Sequence, residues 1–230
     1  MSVHLLMVGD CTLATSYLPL RLKNERILAA RLAELYPEDG CVVTNEGLDG
    51  ETVAQFLKRY DRTIKRNDPP DYVIVRYGVN DRRAYGVDGF RERMVELIER
   101  LRADFPRARI LLETGMYVDY PAHYEFDRNP ILQPIYEVIR ELGRRYGYPV
   151  IDLFERMRSE TDQGNWDLRV RGYGVVDDEI PVLGPGQDHL HTGDVRWWTN
   201  IHPNPVGIQV IADEEVRVLQ QNWPVTLRIS

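Results

Sequence analysis

Three polar runs each follow directly on an apolar stretch: Gly9-Asp10-Cys11-Thr12, Asn45-Glu46-Gly47-Leu48-Asp49-Gly50-Glu51-Thr52 and Gly78-Val79-Asn80-Asp81. If the apolar stretches are strands of an open parallel sheet, all three runs leave the carboxyl ends of the strands and border one ligand crevice. Cys11 stands there among polar neighbours, unlike the usual free cysteine, which is a small buried hydrophobe. Cys41 fits that ordinary role. These are the only two cysteines, too few for a secreted disulfide framework. Cys41 opens the second strand whereas Cys11 lies beyond the end of the first, so their separation far exceeds the roughly 4.4 to 6.8 Å between Cα atoms that a bridge requires. Both thiols are expected free.

The remaining groups capable of chemistry are fewer. His202 precedes Pro203-Asn204 and a helical stripe, and Asp188-His189-Leu190-His191 offers a competing base. His189, His191 and Asp194 could suggest a metal, but the ligand spacing and supporting shell of a metal site are missing, so a hydrogen-bonded loop is the simpler reading. His4 and His123 read as structural. Arg76 interrupts an apolar strand just before the third polar run and is expected to pair with Asp10 or Asp81. The Gly47 and Gly50 spacing is too sparse for a dinucleotide fingerprint. Neither a phosphate-binding G-x-x-x-x-G-K-[ST] loop nor a G-x-S-x-G elbow occurs.

Alternation of apolar runs with helical periodicity predicts stacked βα units around a parallel sheet. The expected strands are Val3 to Val8, Cys41 to Thr44, Tyr72 to Tyr77, Ile110 to Leu112 and Val150 to Leu153. Helical faces are expected at Leu28, Leu32 and Leu35, ending before Pro37; at Val53, Phe56, Leu57, Tyr60 and Ile64, ending by Pro69; and at Phe90, Met94, Leu97, Ile98 and Leu101, closed by Pro106. Two more follow, at Ile131, Ile135, Val138, Ile139 and Leu142, and at Ile208, Ile211, Ala212, Val216 and Leu219. Residues 162–200 break this rhythm. They are rich in Gly and Asp, and Trp166, Tyr173, Trp197 and Trp198 argue for packing, so this insertion is read as a lid or substrate wall.

Two hundred and thirty residues suggest one domain, 1–230, on a prior of about 150 residues each. With 43% hydrophobic and 10% aromatic residues the chain can build a core. The net charge of −7 disfavours nucleic acid and anionic lipid as partners. No stretch approaches the ~20 apolar residues of a membrane span, and no secretory leader is evident, so a cytoplasmic protein is expected.

The segments GDC, NEGLDGET, YGVND and IHPNPVG, in that order over residues 9 to 207, resemble the four blocks of the SGNH, or GDSL, hydrolase family. The resemblance implies a flavodoxin-like three-layer α/β/α fold with a five-stranded parallel sheet of order 2-1-3-4-5, and acyl-ester hydrolysis without a cofactor. It makes Cys11 the nucleophile and His202 the general base. The amides of Cys11 and Gly47 and the carboxamide of Asn80 become an oxyanion hole, whose donors are each worth about 10² to 10³ in rate. Asp10 and Asp81 would hold the two loops.

Two residues depart from the family pattern: Cys11 replaces serine, and Thr199 replaces the aspartate three residues before the histidine. A thiol, with an ordinary pKa of ~8.5, can form a thiolate–imidazolium pair aided by a helix N-terminus and so depends less on that carboxylate. A backbone carbonyl near Thr199, or Asp194, could fix the His202 tautomer. The substrate class is a small-molecule acyl ester or thioester, or an acylated carbohydrate, with Tyr117, Tyr120, Trp197 and Trp198 as candidate groove residues. Two other readings use the same crevice: an acyltransferase, and a ligand-binding module that has lost turnover. The sequence leaves the oligomeric state open.

Overall fold

A computed structural model of the protein describes residues 3–117, 129–163, 202, 203 and 205–223. Five strands, β1 (Val3–Gly9), β2 (Cys41–Asn45), β3 (Tyr72–Arg76), β4 (Arg109–Glu113) and β5 (Val150–Ile151), form one parallel sheet of order β2-β1-β3-β4-β5. This is the predicted order. Parallel neighbours require crossovers, and the connecting segments supply helices that cover both faces of the sheet.

Strand alternation divides the core between those faces. Leu5, Met7, Tyr72, Ile74 and Leu111 point to one side, where α2 (Asn24–Leu35), α7 (Leu153–Asp162) and α8 (Pro205–Asn222) contribute Leu28, Leu32, Met157, Ile208, Ile211 and Leu219. Leu6, Val8, Val73, Val75 and Leu112 point to the other. There α3 (Val53–Arg66), α5 (Gly86–Asp104) and α6 (Asn129–Tyr146) bring Phe56, Tyr60, Phe90, Met94, Ile135 and Ile139. Two single-turn helices, α1 (Cys11–Ala14) and α4 (Asp81–Ala84), follow β1 and β3 at the carboxyl edge.

Several boundaries differ from expectation. Leu153 does not end β5; it opens α7, because Asp152 caps that helix by accepting from the Glu155 amide at 3.2 Å. β3 stops at Arg76, one residue before Tyr77. In α6 the buried stripe runs through Leu132, and Ile131 is exposed; Leu35 at the end of α2 is exposed as well. Cys11 and Cys41 are free, with Cys41 opposite Val3 at the far end of β1. Cys41 is half-buried against the core rather than enclosed.

The largest correction concerns Arg76. Its side chain crosses the end of the sheet, away from Asp10 and Asp81 as direct partners, and is fully buried. Nε donates to Glu113 Oε2 at 2.7 Å, Nη2 to Glu215 Oε1 at 2.9 Å and Nη1 to the carbonyl of Thr12 at 3.0 Å. Glu215 also accepts from Asn24 Nδ2 at 2.8 Å. Burial, reinforced by the charge of Glu113, raises the Glu215 carboxyl well above the usual range. A buried ion pair that loses one partner costs about 3–5 kcal/mol.

Arg76→Met is therefore expected to lose roughly that amount in urea unfolding. Glu215→Gln should stay within about 1 kcal/mol of wild type below pH 4, where the carboxyl is protonated folded and unfolded alike. A carboxyl whose pKa is raised on folding contributes stability below its unfolded pKa and loses it as pH rises toward the folded value, so Glu215→Gln should gain on wild type as pH rises above ~4.3. Equal losses for both variants would contradict this assignment.

Candidate active site

Cys11 is the first residue of α1. Asp10, its N-cap, accepts from the Thr12 amide at 2.9 Å and the Thr12 hydroxyl at 2.8 Å, and its carbonyl takes the amides of Leu13 and Ala14. The Cys11 amide meets no acceptor among the described residues and remains available at the helix start. The residue is 8% exposed.

The second loop approaches the thiol from β2. Its backbone continues the ladder beyond the strand, with Glu46 N–H donating to Met7 O at 2.8 Å and Leu48 N–H to Gly9 O at 3.0 Å. Arg59 on α3 clamps its far end: Nε and Nη2 grip both Glu51 carboxylate oxygens at 2.6 and 2.7 Å, and Nη2 also reaches Glu46 O at 2.7 Å. The Tyr77 hydroxyl donates to Glu51 Oε2 at 2.8 Å. Such bidentate pairs fix geometry as well as charge.

Within that loop the two glycines are placed differently. The Gly47 amide is committed to Asn45 Oδ1 at 2.9 Å. A side chain at Gly47 would sit 2.8 Å from the Ala14 amide, so this glycine permits close approach of loop and α1. Gly50 lies at φ +72°, a conformation suited to glycine, and its amide donates towards the Cys11 sulfur. The chain carries a signal for this. Thr52 and Gln55 form a capping box at the start of α3, which puts Gly50 in the turn just before the N-cap.

Asn80, at the N-terminus of α4, holds the third loop. Its Nδ2 donates to the Glu51 carbonyl at 3.0 Å, and the same carboxamide is close enough to Cys11 to favour the charged form of the thiol. Asp81 lies behind it and accepts from the Val53 amide at 3.0 Å, which caps α3 from outside. Two potential donors, the Gly50 amide and the Asn80 carboxamide, thus border one sulfur.

Electrostatics at the sulfur oppose a resting thiolate. Burial is the largest effect, and the charges of Asp10 and Asp49 add to it, so the Cys11 thiol is pushed up to about 12 against the bonds from Gly50 and Asn80. This departs from the depressed value that a thiolate–imidazolium pair requires. Burial also pushes Asp10 up to about 6, despite its bonds from Thr12 and the field of Arg76. Asp81 rises to about 7 through burial, opposed by the Val53 amide and augmented by Asp10.

His202 belongs to the short stretch before α8 and meets the ring of Tyr17 edge-on, with centroids 5.6 Å apart and planes at 83°. The Tyr17 hydroxyl donates to Pro203 O at 2.6 Å, and the Cys11 thiol lies within electrostatic reach of the phenol. Tyr17, Gly50, Glu51 and Arg59 are the residues that sequence reasoning missed. His4 is structural as expected, bonding Thr44 Oγ1 through Nε2 at 3.0 Å. Tyr120, His123, Asp188, His189, His191, Asp194, Thr199 and the aromatic residues of 162–200 lie outside the described residues. Among those described, no cluster of His, Cys, Asp or Glu could hold a metal ion, and no helix is long and apolar enough to cross a membrane.

The buried Asp81 carboxyl gives a pH-dependent prediction. Its raised pKa supplies stability that is fully present below the unfolded value of ~3.9 and is lost as pH rises through about 7. Asp81→Asn should therefore gain on wild type between pH 4 and pH 8, by on the order of 2–4 kcal/mol in denaturant titrations. A constant difference across that range would rule out a raised carboxyl.

Comparison with known proteins places this geometry in context. An acetylxylan esterase from Geobacillus stearothermophilus is 24% identical over 198 residues, covering 84% of this chain and 78% of that protein. The structure of LAE5, an alpha/beta hydrolase enzyme from the metagenome of Lake Arreo, superposes with a TM-score of 0.68 at 19% identity, covering 95% of both chains. A catalytic mutant of Axe2, an acetylxylan esterase from Geobacillus stearothermophilus, gives 0.66 at 16% identity and 94% of both chains. A putative GDSL-like lipase from Parabacteroides merdae gives 0.69 at 15% identity and 95% of both. These likenesses concern the fold. The pattern of the GDSL-like Lipase/Acylhydrolase family matches residues 21–210, which begins after the Cys11 turn and spans well over half of the sequence. The chain belongs to the GDSL-like lipase/acylhydrolase family.

Proposed function

We propose that the protein hydrolyses acyl esters, with acylated carbohydrates as the substrate class, using Cys11 as nucleophile and His202 as general base. The observation that carries this reading is the convergence of the Gly50 amide and the Asn80 carboxamide on the Cys11 sulfur, beside the available Cys11 amide. When the sulfur bonds to a carbonyl carbon, the developing oxyanion lies two bonds from the sulfur that those donors now face. Preset donors at a developing charge are a large contribution to acyl transfer. In this reading Gly50 takes the place expected of Gly47. The carbohydrate assignment draws on the acetylxylan esterase relative.

A thiol at about 12 is protonated at rest, so attack and deprotonation occur together, as with a serine hydroxyl. The sulfur–carbon bond forms while His202 takes the thiol proton and the carbonyl π electrons move to oxygen. Collapse expels the alcohol, which His202 protonates, and leaves a thioester on Cys11. Water, deprotonated by His202, attacks that thioester; the sulfur leaves and recovers its proton, and the acid is released. Residues 162–200 are proposed as the wall that shapes the alcohol pocket within a single domain. The two free thiols suit a reducing, cytoplasmic setting.

A second reading is a ligand-binding module without turnover, and the raised thiol pKa is the observation that favours it. The two diverge in acyl-enzyme formation. With a short-chain aryl ester, the hydrolase reading expects a burst that Cys11→Ala abolishes, and a fall of about 10²- to 10³-fold in kcat for Asn80→Ala. Iodoacetamide labelling of Cys11 should be slow at pH 7 and still climbing at pH 9; a plateau below pH 8 would indicate a thiolate pair instead. Turnover unchanged in Cys11→Ala would remove the cysteine mechanism. Absence of any trapped acyl-enzyme across acetylated xylo-oligosaccharides and aryl esters would favour the binding module.

A further inference from the structure

The stretch after α1 turns sharply. Thr15 is fully buried and adopts a left-handed conformation, φ 42° and ψ 40°, which a β-branched residue rarely occupies. Its amide closes α1 on the Cys11 carbonyl at 3.2 Å. This turn sends the next two side chains to the two other parts of the site. Ser16 Oγ bonds the Asp49 carboxylate beside Gly50, and the Tyr17 hydroxyl donates to Pro203 O at 2.6 Å. The Tyr17 ring meets the His202 imidazole edge-on at 5.6 Å. One phenol therefore holds the backbone next to His202 and bounds its ring, from a position six residues beyond Cys11.

We propose that Tyr17 is a positioning residue for His202, fixing the imidazole against the Cys11 turn through its hydroxyl bond to Pro203 and its ring contact. This rests on the Cys11–His202 reading above. The usual device for orienting a catalytic histidine is a carboxylate bonded to its other nitrogen, and position 199 holds threonine. Two restraints of a different kind are available here. The hydroxyl bond sets the position of the backbone, and the perpendicular ring limits rotation of the imidazole. The phenol keeps its proton, since burial holds it well above the ordinary tyrosine range. It anchors the histidine and transfers no proton itself. Displacement of a reacting group by about 1 Å can cost on the order of 10² in rate, and this is the scale of effect at issue.

Three variants separate the contributions. Tyr17→Phe keeps the ring and loses the bond to Pro203; Tyr17→Leu loses both; Cys11→Ala tests the underlying reading. For aryl-ester hydrolysis the expected result is a fall in kcat of about 3- to 10-fold for Tyr17→Phe and 10- to 100-fold for Tyr17→Leu, with KM within about twofold. The pH profile of kcat/KM in Tyr17→Leu should differ from that of wild type, since the imidazole loses its neighbouring ring. A second measurement needs no turnover. Long-range proton–nitrogen NMR correlations of the His202 ring should show one tautomer in wild type and an averaged pattern in Tyr17→Leu. Wild-type kcat, pH profile and tautomer in both tyrosine variants, with Cys11→Ala inactive, would overturn the role of Tyr17 and leave the hydrolase reading standing. Undiminished activity of Cys11→Ala would overturn the hydrolase reading itself.

Discussion

Burial of the Arg76 guanidinium is the constraint on which the arrangement of the site depends. A charged group that loses its water must recover the lost solvation from fixed partners, and here they come from four separate elements: Glu113 at the end of β4, Glu215 on α8, Thr12 in α1 and, through Glu215, Asn24 on α2. Because leaving the guanidinium unpaired costs several kcal/mol, an arrangement that separates any of these elements is disfavoured, and the network selects one placement of them. The bond to the Thr12 carbonyl fixes the turn that carries Cys11, and the bond to Glu215 fixes the helix that follows His202. The loop after β2 has its own version of the same device in Arg59, which grips Glu51 and the Glu46 carbonyl.

The two arginines leave the immediate surroundings of the thiol dominated by carboxyls. Asp10 and Asp49 both raise its pKa, and no arginine is among the leading influences on it. Stability and reactivity are thereby divided between two layers. The cations sit one layer back, where they tie elements together, and the sulfur faces neutral amide donors. Such donors stabilise charge that appears during reaction more than charge already present in the resting site. Asp10 and Asp81, raised toward neutrality, cap helix starts as acceptors while carrying less than a full buried charge each.

Much of this architecture is legible in one dimension. The apolar runs and their spacing give the five strands, and the order of polar runs after β1, β2 and β3 brings Cys11, the second loop and Asn80 to one edge. Periodicity misleads where it is short. The Leu153, Phe154 and Met157 stripe begins within two residues of β5, so α7 merges with the strand that precedes it. Gly47 and Gly50 are indistinguishable by composition, and only the backbone course shows that one accommodates α1 while the other presents its amide to sulfur. The partners of Arg76 lie 37 and 139 residues away, a distance at which no local pattern predicts pairing. The same holds for Tyr17 and Pro203, separated by 186 residues.

Those separations also order events during folding. Cys11 and the Gly50 and Asn80 donors lie in the first eighty-odd residues, whereas Glu215 and His202 arrive last along the chain. Closing the Asn24–Glu215 contact, 191 residues apart, pays its loop entropy only when β1, β3 and β4 have already assembled a surface for α8 to dock on. A nascent chain emerging from the ribosome therefore exposes Arg76 and Glu113 to water with their charges satisfied by solvent. Docking of α8 removes that water and completes the crevice in the same step. Completion of the crevice and closure of the core are thus one cooperative event, and a polypeptide interrupted before α8 carries the Cys11 turn without the Glu215 partner that gives it its permanent shape.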